Sequence, residues 1–192
     1  DAHPVFSTLF VQTEYLPEFG ALVAHRRPRS PDEPRIWAAH FTVVEGEITA
    51  EPQYESDRAR FLGRGRDAAA AAAIQDGQAL SNSVGCVPDP AFALRQRVLI
   101  PAGGAVSIAF WTVVAATRAE LLELIDRHHD RSAFDRAATL AWTQAQVQLR
   151  HLGIDTEEAA QFQQLAAPIL YADRRMRAAP EAMMRGAGPQ SG

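Results

Sequence analysis

Lysine is absent from this 192-residue chain: all 19 of its basic residues are arginine. Arginine offers a planar fork suited to bidentate contacts with carboxylates, but a GC-rich genome accounts for the same bias, so composition alone marks no site. Cysteine is represented once, at Cys86. That excludes an intrachain disulfide framework and a multi-cysteine zinc centre, and it fits a reducing compartment. No apolar run approaches the roughly 18 residues of a membrane-spanning helix. The chain opens on Asp1 without the basic start and apolar stretch of a signal peptide. These absences predict a soluble segment, cut from something larger, that does not itself enter a membrane.

Positive charge is also in short supply. The formal net charge is −4, whereas a nucleic-acid footprint calls for a basic surface, so nucleic acid is not an expected partner. Neither a G-x-S-x-G elbow nor a Walker loop occurs. With 47% hydrophobic and 22% charged residues the composition is that of a globular protein.

Up to about residue 115 the texture is β. Short runs rich in β-branched and aromatic residues ("VFSTLFVQTEY", "GALVAHRR", "RIWAAHFTVV", "ALSNSVGCV", "LRQRVLIP", "AVSIAFWTVVA") are separated by Pro and Gly breaks. Such spacing predicts a sandwich. The alanine run in "DAAAAAAIQDG" reads as a surface loop or a short helical turn. After residue 116 the period changes to that of helices. Thr117 and Glu120 have the spacing of a capping box, and Leu121, Leu124, Ile125 and His128 share one face. A second helix carries Phe134, Ala138, Ala141, Trp142, Ala145 and Leu149 and stops at Gly153; a third restarts at Asp155 with Glu158, and Pro168 predicts a kink. The expected organisation is a β-sandwich over 1–115, a helical arm over 117–178 and a flexible tail over 179–192.

The stretch "YESDRARFLGRGRD", residues 54–67, holds the densest set of charges. Laid out as a strand, it places Arg58, Arg60, Arg64 and Arg66 on one face, where like charges two residues apart lie roughly 6–7 Å from each other. They need carboxylates or a polar ligand between them. Two readings stand side by side: an edge strand paired to Glu14 or Glu18, or a ligand-facing surface.

Other candidates read as structural. His128 and His129 are adjacent, point about 100° apart on a helix and suit a helix end better than a metal site. Cys86 reads as a small buried thiol, and Trp37, Trp111 and Trp142 each lie in an apolar run and are assigned to core packing. Acid pairs such as Glu120 with Glu123 and Glu157 with Glu158 read as solvated helix surface, and nothing singles out two carboxylates facing each other across a pocket. No metal or cofactor is implied.

Six stretches, in this order, carry a resemblance: "HPVFSTLFVQTEY", "RRPRSPDEPRIWAAH", "YESDRARFLGRGR", "LSNSVGCVPDPAFALRQRVLIPAGG", "AFWTVVA" and "FDRAATLAWTQAQVQLRHLGI". Together they resemble the phosphorylase-like part of bacterial cyclic β-1,2-glucan synthases, relatives of the cellobiose and chitobiose phosphorylases of glycoside hydrolase family 94. Glu55 to Arg64 is the most specific element, with Ser56 where threonine is usual. The resemblance implies a mainly β fold with C-terminal α: later strands of an antiparallel supersandwich, then linker helices leading to an (α/α)6 barrel. It also implies an inverting reaction in which an acid aspartate protonates the glycosidic oxygen while phosphate attacks. The matching aspartate and phosphate-binding residues fall beyond Gly192, so no residue here is given a catalytic role, and the chain alone is expected to be inactive.

Implied partners are a β-glucan or gluco-oligosaccharide and the barrel of the same polypeptide. The implied location is a bacterial protein attached to the inner membrane, with this segment on the cytoplasmic side. Within the opening stretch, Asp57 and Arg58 are expected to pair structurally, while Arg60, Arg64, Gly65 and Arg66 are the candidate sugar-contacting set. A competing expectation is a stand-alone carbohydrate-binding sandwich whose helices serve oligomerisation.

Overall fold

The computed structural model describes residues 10–28, 30–170 and 179. Val11–Leu16 (β1) and Ala21–Arg26 (β2) form an antiparallel hairpin across Pro17 to Gly20. Gly20 closes that turn at φ +56°, where a side chain would be strained. Trp37–Glu45 (β3) pairs with β2 on one side and with Ser107–Ala115 (β9) on the other, and the two-residue strand Gly85–Cys86 (β6) adds to β1. The resulting sheet has the order β6-β1-β2-β3-β9. Glu47–Ile48 (β4) pairs with Val98–Leu99 (β8), and Gln53–Asp57 (β5) with Pro90–Arg95 (β7), all antiparallel.

Alternation along the strands sorts the side chains of the large sheet onto two faces. On one face Val23, Ala39, Phe41 and Val113 are buried beneath Arg118–His128 (α3), which sets Leu121 and Ile125, both fully buried, onto them. Each such burial stabilises by about 1.5–3 kcal/mol. Helix α3 starts where the capping box predicts: Thr117 Oγ1 accepts from Glu120 N–H and Glu120 returns the bond to Thr117 N–H. Leu124 packs against the same cluster, and His128 lies 4.6 Å from the Trp111 ring. The opposite face receives the β5/β7 pair, through Tyr15 stacked on Tyr54 at 4.0 Å and His40 on Phe92 at 5.9 Å. The architecture is mainly β with C-terminal helices, as the sequence implies.

Three local readings are corrected. The stretch 54–67 is not one strand: β5 ends at Asp57, and Arg58–Leu62 forms a short helix (α1). Asp57 is the reason, because its carboxylate accepts from Ala59 N–H at 2.9 Å and so starts a turn where alternation alone suggests continuation. In "ALSNSVGCV" only Gly85–Cys86 is strand, because Ser81, Asn82 and Ser83 spend their polar groups on side-chain contacts to β5. The run "LRQRVLIP" is not one strand: it holds the end of β7, which begins earlier at Pro90 and stops at Arg95, and the separate two-residue β8.

The alanine run forms helical turns, a 3-10 turn at Ala68–Ala70 and a one-turn helix at Ala72–Gln75 (α2). Asp67 caps the first by accepting from Ala69 and Ala70 N–H.

Ser132–Leu152 (α4) ends at Gly153, φ +70°. Thr156–Leu170 (α5) begins with reciprocal bonds between Asp155 and Glu158 and continues through Pro168. The chain divides into two compact units, Asp1–Arg136 and Ala137–Gly192, so α3 belongs with the sheet. Positions 171–178 of the expected arm and all of the expected tail except residue 179 fall outside the described residues.

Candidate functional site

The segment that joins β5 to the alanine-rich turns is organised around Glu55, which is 2% exposed. One of its oxygens accepts from the backbone N–H of Ser56 at 3.1 Å and of Asp57 at 3.0 Å, and from Ser83 Oγ at 3.0 Å; the other accepts from Ser81 Oγ. Burial by itself would raise this carboxyl's pKa. The Ser81 hydroxyl, the Asp57 N–H and the Ser83 hydroxyl outweigh it and hold the group below the ordinary carboxylate value. Asn82, at φ +53°, accepts from Tyr54 N–H at 2.8 Å through its side chain and donates its own N–H back to Tyr54 O at 2.9 Å. Glu55 thereby fastens the 80–84 segment to β5 and fixes the chain that leads into the arginines.

The four arginines then part ways. Arg58 pairs with Asp89 at 3.3 Å, not with its neighbour Asp57, whose carboxylate caps α1 and lies 3.7 Å from Arg60. Arg66 pairs with Asp76 across the loop at 2.9 Å. The Glu14 carboxylate, the edge-strand partner anticipated for these arginines, pairs instead with Arg118 at 3.4 Å. Arg64 is exposed and, among the described residues, forms no ion pair. It stands between Gly63 at φ +83° and Gly65 at φ +71°. A Cβ on Gly63 would meet the Ala72 Cβ at 2.8 Å, whereas a Cβ on Gly65 would meet nothing within 4 Å. Gly63 is thus held by packing and Gly65 by backbone conformation alone, which leaves the turn at Arg64 open to solvent. The arrangement can donate hydrogen bonds to a polyhydroxy or anionic ligand; it contains no acid and base pair.

Sequence reasoning missed Glu55, Asp76, Asp89 and Arg95 as organisers. Arg95 donates to Gln78 O at 2.6 Å and to Ala73 O, tying the alanine-rich segment to β7. No spacing rule reaches these pairings, since they join positions many residues apart. The serines that hold Glu55 do stand together in the quoted "LSNSVG", and that was the available signal.

Among the remaining candidates, Cys86 is exposed on the edge strand β6 rather than buried, because none of the described residues covers it there. Trp37 and Trp111 pack against the core cluster, but Trp142, on α4, is 66% exposed and is not a core residue of this chain. His128 and His129 close α3 and bond separately. His128 Nδ1 lies 2.7 Å from Leu124 O, while His129 reaches Ile125 O at 2.9 Å and Phe19 O at 3.1 Å. Glu120 and Glu158 are engaged in helix caps. A groove of about 550 Å³ is lined by Thr42 of β3, by Thr49 and Glu51 after β4, and by Arg95 and Gln96 at the end of β7 among others, with no aromatic ring in its wall.

Compared with known proteins, residues 1–131 match the family described as glycosyl hydrolase 94, supersandwich domain. The chain is 40% identical over 190 residues to the cyclic beta-(1,2)-glucan synthase NdvB of Rhizobium meliloti (strain 1021). That alignment covers 99% of this chain and 7% of the relative, so the chain spans a small fraction of the protein it matches.

Proposed function

The chain belongs to the glycosyl hydrolase 94 supersandwich family, and from that premise we propose that it is the accessory sandwich and linker-helix portion of a bacterial cyclic β-1,2-glucan synthase. Its work is to support a phosphorylase-like (α/α)6 barrel and to present the turn at Arg64 to the glucan. No turnover resides in these residues. In this reading the whole protein is attached to the inner membrane, and this segment stands on the cytoplasmic side. The identity along nearly the whole chain to a bacterial glucan synthase supports the assignment to such an enzyme.

One observation carries the glucan-facing part. Of the four arginines that the sequence sets together, three have carboxylate partners and Arg64 has none among the described residues, in a turn whose two glycines hold it open. A guanidinium left in that position donates to sugar hydroxyls at little cost in lost ion pairing. Arg60, 62% exposed and only loosely held at 3.7 Å by Asp57, is free to join it. Arg66 contributes by fixing the far side of the turn through Asp76. The test is Arg64→Ala and Arg66→Ala, singly and together, in the full synthase. Weaker affinity for β-1,2-gluco-oligosaccharides or altered product length is expected, and unchanged values for both would remove the sugar contact.

A further inference from the structure

Strand β9 ends the order β6-β1-β2-β3-β9, so one of its edges carries backbone groups that no strand of the described residues pairs. Its nine residues, "SIAFWTVVA", include no charge and no proline. Native sheets protect a long edge with charges, proline, a bulge or a covering element; β9 uses neither charge nor proline and pairs with β3 in regular register along its whole length.

The face behind this edge is incomplete as well. Trp111 and Val113 point to the α3 side and pack in the core cluster, while Phe110, Thr112 and Val114 alternate to the other side. The β5/β7 layer reaches that side as far as His40, through Phe92 at 5.9 Å. His40 touches the next row, with Phe110 at 6.0 Å and Thr112 Oγ1 at 2.9 Å, but Phe110 and Val114 remain 57% and 59% exposed. Among the described residues the second layer of the sandwich therefore stops one strand short of the first.

We propose that the free edge of β9, with Phe110 and Val114, receives an extended strand from another part of the same polypeptide, carrying apolar side chains at alternate positions. This rests on the reading that the chain is one part of a longer supersandwich. The relative that matches 99% of this chain is covered over only 7% of its own length, so a protein of that kind has a long tethered remainder from which a strand can come. A tethered strand meets the edge at an effective concentration on the order of millimolar, which a second copy in free solution does not reach. Strand addition satisfies the open backbone groups and gives the outer row of side chains a covering layer in one step.

Two measurements on the full-length polypeptide test this. In residue-resolved hydrogen exchange, the β9 amides that point away from β3 are expected to be slowed by at least about 100-fold relative to unpaired loop amides. Exchange at loop rates would overturn the proposal. A photoreactive phenylalanine at position 110, used in a mixture of isotopically light and heavy protein, identifies the neighbour. Adducts within one chain to a segment outside the 192 residues are expected, whereas adducts between light and heavy chains, adducts confined to residues 1–192, or none would overturn it. The exchange measurement needs no substitution and stands if the photoreactive variant fails to fold. Neither readout involves glucan, so failure of the sugar contact at Arg64 leaves both unaffected.

Discussion

Glu55 shows how much one side chain settles. It spends its carboxylate on two backbone N–H groups and two serine hydroxyls, at a position 2% exposed. Because these donors hold its pKa below the ordinary 4.5, the folded state keeps the charged form better than the unfolded chain does. The stabilisation is therefore complete above the ordinary value and is lost as pH falls through the depressed one. Denaturant melts of Glu55→Gln are expected to show a loss of about 1–3 kcal/mol at neutral pH, and a smaller further loss than the parent below about pH 4.5. Parallel acid profiles for the two proteins would contradict the assignment. The glycines beside Arg64 make a second pair. Gly63→Ala meets both a strained φ and the Ala72 Cβ, while Gly65→Ala meets strain alone. Thermal unfolding should rank Gly63→Ala as the more damaging, with Gly65→Ala costing about 1–2 kcal/mol.

At the scale of elements, the sequence was most readable where a local signal and a long-range need agree. Thr117 with Glu120 starts a helix whose Leu121 and Ile125 face the sheet, so capping and periodicity point the same way. Leu121→Ala should cost about 2–5 kcal/mol, as removing a fully buried leucine does, and Thr117→Ala about 0.5–2 kcal/mol; chemical denaturation measures both. Gly153 and the Asp155 cap were equally legible. The stretch after Glu55 was not, because arginines at even spacing imitate a strand, while the residue that decides the matter is Asp57, whose capping role competes with alternation. Cys86 and Trp142 failed for a different reason. Apolar neighbours in sequence say nothing about whether another layer covers them, and here none of the described residues does. The partners of Arg58 and Arg66, Asp89 and Asp76, come from distant or looped positions that no periodicity connects.

For the molecule as a whole, the helical region is the telling part. Helices α4 and α5 share no extended packing interface among the described residues. Leu140, Trp142, Val147, Phe162 and Leu165 are each more than half exposed. Large apolar side chains in that number on amphipathic helices mark surfaces built to be covered. A stand-alone carbohydrate-binding sandwich with oligomerising helices would also cover them. Under the proposed function, in which the chain is one portion of a glucan synthase, the rest of one polypeptide covers them. Hydroxyl-radical footprinting of Trp142 in the full-length protein tests this most directly. Strong protection that persists on dilution is the predicted result, and modification at the rate of a solvent-exposed tryptophan, or protection that disappears on dilution, would contradict it.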